Sequence, residues 1–200
     1  MLLKDTPSQK GNNMAIPLSR SLCLSAGHSY GNKGAFNGEL DEHYFNVLMC
    51  EYLMAEMRVA QIPCDIVDPF ENNLIRIGSS ALDHYCFIET HLNSSTVKSI
   101  NYAVGCTDTR FSNRVSKIVA AECAVAIGGA LNIPVHRGDI VGLMQKELAV
   151  LKAASHTNCP ISFIIEPFFL SHYTDKSVVE KNLKIAAAAI AKVLLRYFKA

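Results

Sequence analysis

Short, nearly unbroken apolar runs alternate with stretches of helical periodicity along most of this chain. Leu22-Cys23-Leu24 carries no polar interruption and ends at Ser25-Ala26-Gly27, as a buried strand does where it meets a turn. A polar, glycine-rich loop follows from His28 to Leu40. Beyond it Phe45, Leu48, Met49, Tyr52, Leu53, Met57 and Ala60 recur at helical spacing, which predicts a helix over Glu42–Ala60 with Asp41 as its N-cap. The same reading predicts a strand at Cys64–Val67 behind Pro63, a helix over Leu74–Leu82 and a strand over Tyr85–His91. An extended segment is expected over Ser99–Gly105, then a long helix over Ser112–Leu131 that Asn132 and Pro134 stop. The strand Ile161–Glu166 is apolar until its last residue, and a helix over Asp175–Phe198 closes the chain.

Strands that are apolar on both faces belong in a sheet covered on both sides. Their alternation with helices therefore predicts a single α/β domain with a twisted, mostly parallel central sheet and helices on both faces. Two hundred residues, half of them hydrophobic, suit one such domain. A chain of this length buries about 70% of its unfolded surface, so it folds without a disulfide or structural metal. The domain is expected over residues 21–200, behind a polar tail at 1–20.

That tail, with Pro7, Gly11, Asn12 and Asn13, lacks the apolar stretch of an export signal. No apolar stretch reaches the roughly 18 residues that span a bilayer, and the run Ala186–Leu195 is cut by Lys192. Synthesis in the cytoplasm without stable membrane insertion is the expectation. The 19 basic and 18 acidic residues leave a net charge of +1 and form no basic stripe, which argues against nucleic acid as a partner. The seven cysteines are odd in number, contain no CxxC and sit in apolar runs such as Tyr85-Cys86-Phe87-Ile88, the pattern of buried free thiols.

In parallel sheets, binding groups collect at the carboxyl ends of the strands. Here three predicted strands end at or just before His28, His91 and Glu166. Taken singly, some of these have ordinary explanations. His28 reads as a loop histidine, and Glu42 as a carboxylate that the helix dipole stabilises by under about 1 kcal/mol. The glycines of Gly27-His28-Ser29-Tyr30-Gly31-Asn32-Lys33-Gly34 match no phosphate-loop spacing. Glu89 shares a strand face with His91 by the two-residue period. Glu166 ends a run that is otherwise buried, and a carboxylate in such a place is usually catalytic or paired to a cation. Two histidines and a carboxylate with an open fourth position form the donor set of a hydrolytic zinc, with a separate glutamate as general base. Imidazole ligands favour zinc over magnesium or calcium, and the absence of HExxH means that the ligands come from separate segments.

Taken in order, these residues resemble the zinc-dependent N-acetylmuramoyl-L-alanine amidases of the Amidase_3 type, found in bacterial wall remodelling and in phage endolysins. The likeness runs from about Leu22 to the C-terminus and rests on short elements at family-like spacing. They are Gly27-His28 with Gly34-Ala35, Glu42 with Asn46, His91 with Asn93, Arg137-Gly138, and Glu166-Pro167-Phe168-Phe169-Leu170. The resemblance implies that His28, Glu42 and His91 hold one zinc per chain and that Glu166 is the catalytic glutamate. The bond cut would be the amide between the lactyl group of N-acetylmuramic acid and L-alanine of the stem peptide, which makes bacterial peptidoglycan the partner.

Asn46, Glu89 and Asn93 are the candidates to support the ligands or touch substrate, and His43 is the reserve ligand. The chain departs from the family at Glu89, where a small polar residue is common. It departs again in Gly105-Cys106-Thr107-Asp108, which lacks an acid at the position where many relatives carry one. The expected setting is a compact endolysin released to the cell wall by a holin-like partner. The rival readings are a carboxypeptidase-like zinc hydrolase of related fold and a silent wall-binding domain.

Overall fold

The structure is a computed structural model that describes residues 19–199. Residues 1–18 of the predicted tail lie outside the described part, and Ser19 and Arg20 belong to the first strand rather than to the tail. In chain order the strands are β1 (Ser19–Ala26), β2 (Phe36–Asn37), β3 (Leu40–Asp41), β4 (Cys64–Ile66), β5 (His84–Thr90), β6 (Val104–Asp108), β7 (Leu143–Lys146) and β8 (Ile161–Glu166). The helices are α1 (Glu42–Val59), α2 (Leu74–Ser79), α3 (Arg114–Leu131), α4 (Ala149–Ser155) and α5 (Lys176–Phe198). Six strands form the central sheet in the order β4-β1-β5-β8-β6-β7, while β2 and β3 pair as a separate small hairpin. β4, β1, β5 and β8 run parallel; β6 is antiparallel to β8 and carries β7 parallel to itself. The mostly parallel sheet expected from the apolar runs is therefore present.

Alternation along the strands sorts the core into two layers. Leu22, Leu24, Cys86, Ile88, Phe163 and Ile165 face a large cluster that includes Met49 and Leu53 of α1, Ala124 of α3 and Ile190 of α5. Cys23, Phe87, Cys106 and Ile164 point the other way, onto Ile77 of α2 and Val150, Leu151 and Ala154 of α4. Gly105 lets α3 lie close against β6, because a methyl group there would overlap the backbone of Ala120. Side chains cap the long helices: Asp41 accepts from the Tyr44 N–H, Asn113 from Ser116 and Asp175 from Ser177. Asn132 ends α3 in the left-handed conformation, at the residue where the sequence predicts a stop.

Several expectations need correction. β4 stops at Ile66 and α2 at Ser79, and α3 starts at Arg114 behind its cap. β5 spans His84–Thr90, so His91 stands one residue beyond the strand. The segment expected over Ser99–Gly105 is displaced to Val104–Asp108, where Gly105 to Asp108 pair with Leu143 to Lys146 of β7. β7 and α4 have no counterpart in the sequence reading. β7 is a four-residue edge strand whose last two residues are exposed, and α4 is seven residues with no side-chain cap, so neither develops a clear period. All seven cysteines are free thiols, as expected; five are buried, whereas Cys64 and Cys159 are only half-buried. Among the described residues, no helix is long and apolar enough to cross a membrane.

Candidate metal centre and active site

The loop between β1 and β2 is shaped around two left-handed residues. His28 has φ +65° and Gly34 φ +71°, and the first is uncommon for a residue with a side chain. A methyl group on Gly34 would overlap both the His28 ring and the Glu42 carboxylate. Only glycine lets the loop close over these two groups. The turn before His28 is pinned from α1: the Gly27 carbonyl accepts from His43 Nδ1 and from Asn46 Nδ2, each at 3.1 Å. The Gly27 N–H donates to the Thr90 carbonyl at 2.8 Å, tying the ends of β1 and β5 together.

Glu42, 3% exposed, lies at the centre of the cluster. Its Oε2 accepts from the Ala35 N–H at 2.7 Å and faces His28 Nε2 at 3.1 Å. Its Oε1 accepts from the Leu92 N–H at 3.1 Å and faces His91 Nδ1 at 3.0 Å. The His28 and His91 rings meet edge-on, with centroids 4.9 Å apart. Burial works against the Glu42 carboxylate, but hydrogen bonds from His28, His91 and Ala35 outweigh it and hold the group well below the usual carboxylate range. Burial likewise disfavours the charged His91 ring, but Glu42 and Glu89 outweigh that and push it up to about 10.

The donor atoms of His28, Glu42 and His91 all lie within 4.8 Å of one another. A buried anion with two imidazole nitrogens directed at it calls for a positive charge. Two nitrogens and one carboxylate oxygen are a donor set that suits zinc, so the residues present fit that ion.

Glu166 ends β8, the strand next to β5, and is 7% exposed. Its Oε2 accepts from Asn93 Nδ2 at 2.5 Å, and its Oε1 lies 3.3 Å from Lys146 Nζ and 3.7 Å from Cys106 Sγ. The His91 N–H donates to the Ile165 carbonyl at 2.9 Å, which seats Glu166 beside the histidine cluster. Burial pushes the Cys106 thiol up to about 12, which keeps it a neutral neighbour.

The structure thus brings His28, Glu42 and His91 together. Asn93 goes to Glu166, and Glu89 goes to His91 at 2.8 Å. Asn46 and the reserve residue His43 brace the turn before His28 through the Gly27 carbonyl instead of joining the donor set. Lys146 and Cys106 escaped the sequence reading, Lys146 because its strand was not anticipated. The alternation of β6 was the available signal for Cys106, once that strand's register is known. A cleft of about 800 Å³ opens beside the cluster, lined among others by His28, Asn32, Glu89, His91, Leu148 and Ile164.

No protein-family model matches the chain, and no curated protein does. Solved structures do. The CwlD amidase from Clostridioides difficile, in complex with the GerS lipoprotein, aligns with a TM-score of 0.75 at 18% identity, covering 90% of this chain and 98% of that one. A putative N-acetylmuramoyl-L-alanine amidase from Neisseria meningitidis gives 0.71 at 20% identity over 92% and 98%. This chain has the amidase fold. A third amidase, AmiC2 of Nostoc punctiforme, gives 0.72 at 17% identity over 90% and 98%. The shared fold covers about nine-tenths of this chain and nearly all of each neighbour, and it is a single α/β domain as expected from the sequence.

Proposed function

We propose that this chain is a zinc-dependent peptidoglycan amidase that hydrolyses the amide between N-acetylmuramic acid and L-alanine of the stem peptide. One observation carries the reading: on an amidase fold, three zinc-type donors converge at the carboxyl ends of β1 and β5, and a buried glutamate ends the adjacent strand β8. His28, Glu42 and His91 would hold the metal, which supplies Lewis-acid chemistry when bound.

The chain's own groups account for the proton traffic. Glu166 takes a proton from the attacking water as the oxygen–carbon bond forms. It delivers that proton to the alanine nitrogen as the carbon–nitrogen bond breaks. Asn93 and Lys146 each hold one oxygen of that carboxylate, which aims it. Leu148 and Ile164 line the apolar side of the cleft and limit water around the reacting amide.

The test is metal analysis of the purified protein, followed by chelation and zinc readdition in an assay on purified sacculi. The expected result is one zinc per chain and loss of activity on chelation with recovery on readdition. New L-alanine amino termini should appear without new reducing sugars. Cleavage of soluble peptides alone would identify a peptidase of related fold, and activity indifferent to zinc would overturn the reading.

A further inference from the structure

Glu89 is a buried acid beside the site that the reaction above leaves without a task. It lies on β5 two residues before His91, 4% exposed, with Ser25 and Ile164 as its partners on the neighbouring strands. Its Oε1 stands 2.8 Å from His91 Nε2, and its Oε2 is buried with no hydrogen-bond partner among the described residues. The one hydrogen bond that this carboxylate makes to a side chain is therefore spent on the imidazole.

We infer that Glu89 is a positioning residue: by accepting the Nε2–H of His91 it fixes the tautomer that turns the Nδ1 lone pair toward Glu42 and His28. The inference rests on the zinc reading and assigns a role that the reading does not require. An imidazole that ligates a metal keeps one proton, and this ring faces an acceptor on each side, Glu42 at Nδ1 and Glu89 at Nε2. The Glu42 oxygen already takes the Leu92 N–H, whereas the Glu89 carboxylate has no such second donor. The ring proton is therefore worth more on Nε2, and Nδ1 is left with its lone pair exposed to a cation. Without Glu89 the proton would settle between Nδ1 and Glu42 and block the donor atom.

The ring is also clamped in orientation. Gly27 lies flat against it, and a methyl group there would overlap the imidazole. A flipped ring would leave Glu89 buried with no donor at all, which the low-polarity surroundings penalise.

The experiment measures zinc affinity of the full chain by competition with a chromogenic chelator, for the parent, Glu89→Ala and Glu89→Gln. It is joined by ¹⁵N-imidazole NMR of the zinc-loaded proteins. The Ala variant is expected to bind zinc about 10–100-fold more weakly. The Gln variant, whose amide oxygen still accepts an N–H, is expected to fall between the two. In the parent, His91 should show zinc on Nδ1 and a slowly exchanging proton on Nε2. Zinc affinity of Glu89→Ala within threefold of the parent, a Gln variant no tighter than Ala, or zinc on Nε2 would each overturn the inference while leaving the zinc reading intact. A parent that binds no zinc would take both down together. Should Glu89→Ala fail to fold, the Gln variant's affinity and its His91 spectrum decide the matter alone.

Discussion

Glu42 and Glu166 are both buried glutamates at the carboxyl end of the parallel strands, yet they are held in opposite ways. Each oxygen of Glu42 is fixed by a backbone N–H, from Ala35 and from Leu92, before either histidine is counted. Each oxygen of Glu166 is held by the end of a side chain, Asn93 on one and Lys146 on the other. Backbone donors leave a carboxylate little freedom, which suits the ligand role proposed for Glu42. Side-chain donors allow small adjustments, which suits the proton-carrying role proposed for Glu166. The difference lies in the elements: Glu42 opens a helix beneath a closed loop, whereas Glu166 is the last residue of a strand facing the cleft side of the sheet.

The sharpest way to break this comparison is to neutralise each acid in turn. Glu166→Gln is expected to lower amidase turnover on sacculi by about 10²–10⁴-fold, with zinc affinity within about threefold of the parent and little change in melting temperature. Glu42→Gln should weaken zinc binding by more than about 100-fold and cost the metal-free protein about 3 kcal/mol in chemical denaturation, because it breaks a buried charged network. If Glu166→Gln were the variant that lost zinc, the two assignments would be reversed.

Gly34→Ala probes the loop rather than the charges. Its left-handed φ of +71° and the overlap with His28 and Glu42 predict zinc affinity reduced by about tenfold or more, read by chelator competition. The protein should stay folded, since Gly34 lies in an exposed surface loop.

Sequence patterning carried most of the architecture, because long apolar runs and helical periods report burial directly. Leu22–Leu24, Tyr85–Ile88 and Ile161–Ile165 all lie in central strands, and Glu42, His28 and His91 converge as expected. Short elements were lost: β7 and α4 derive their stability from packing against β6 and the second core layer, not from their own sequence. Lys146 was lost with β7. Asn46 and His43 were legible as polar residues on the first turns of a helix. Their attachment to the Gly27 carbonyl depends on how α1 docks against β1, and no local pattern encodes that.

The smallest effect is expected at a third buried acid, which serves as a structural control. Asp108 stands at the carboxyl end of β6 and, because that strand is reversed, towards the amino end of the parallel strand β8. Its carboxylate accepts from the N–H groups of Arg110, Phe111 and Leu148. Burial opposes the charge, but those three donors prevail and lower its pKa from the ordinary 3.8. A lowered folded pKa means that the stabilisation is present above about pH 4 and is lost as pH falls through the folded value. Asp108→Ala should therefore cost about 2 kcal/mol near neutrality, with the gap to the parent narrowing below pH 4 in urea titrations. Amidase turnover at neutral pH should fall far less than in Glu166→Gln, because Asp108 reaches the cleft only through the Leu148 N–H.

Arg20 near the start of β1 donates through Nη1 to the carbonyl of Phe198 at the end of α5, at 2.8 Å. The beginning of the first strand and the end of the last helix thus share one corner, and it belongs to the amino edge of the parallel strands. A tether attached near either point leaves the molecule away from the cleft. The domain can therefore be hung from a surface, or spliced into a loop of another protein, with its working face outward.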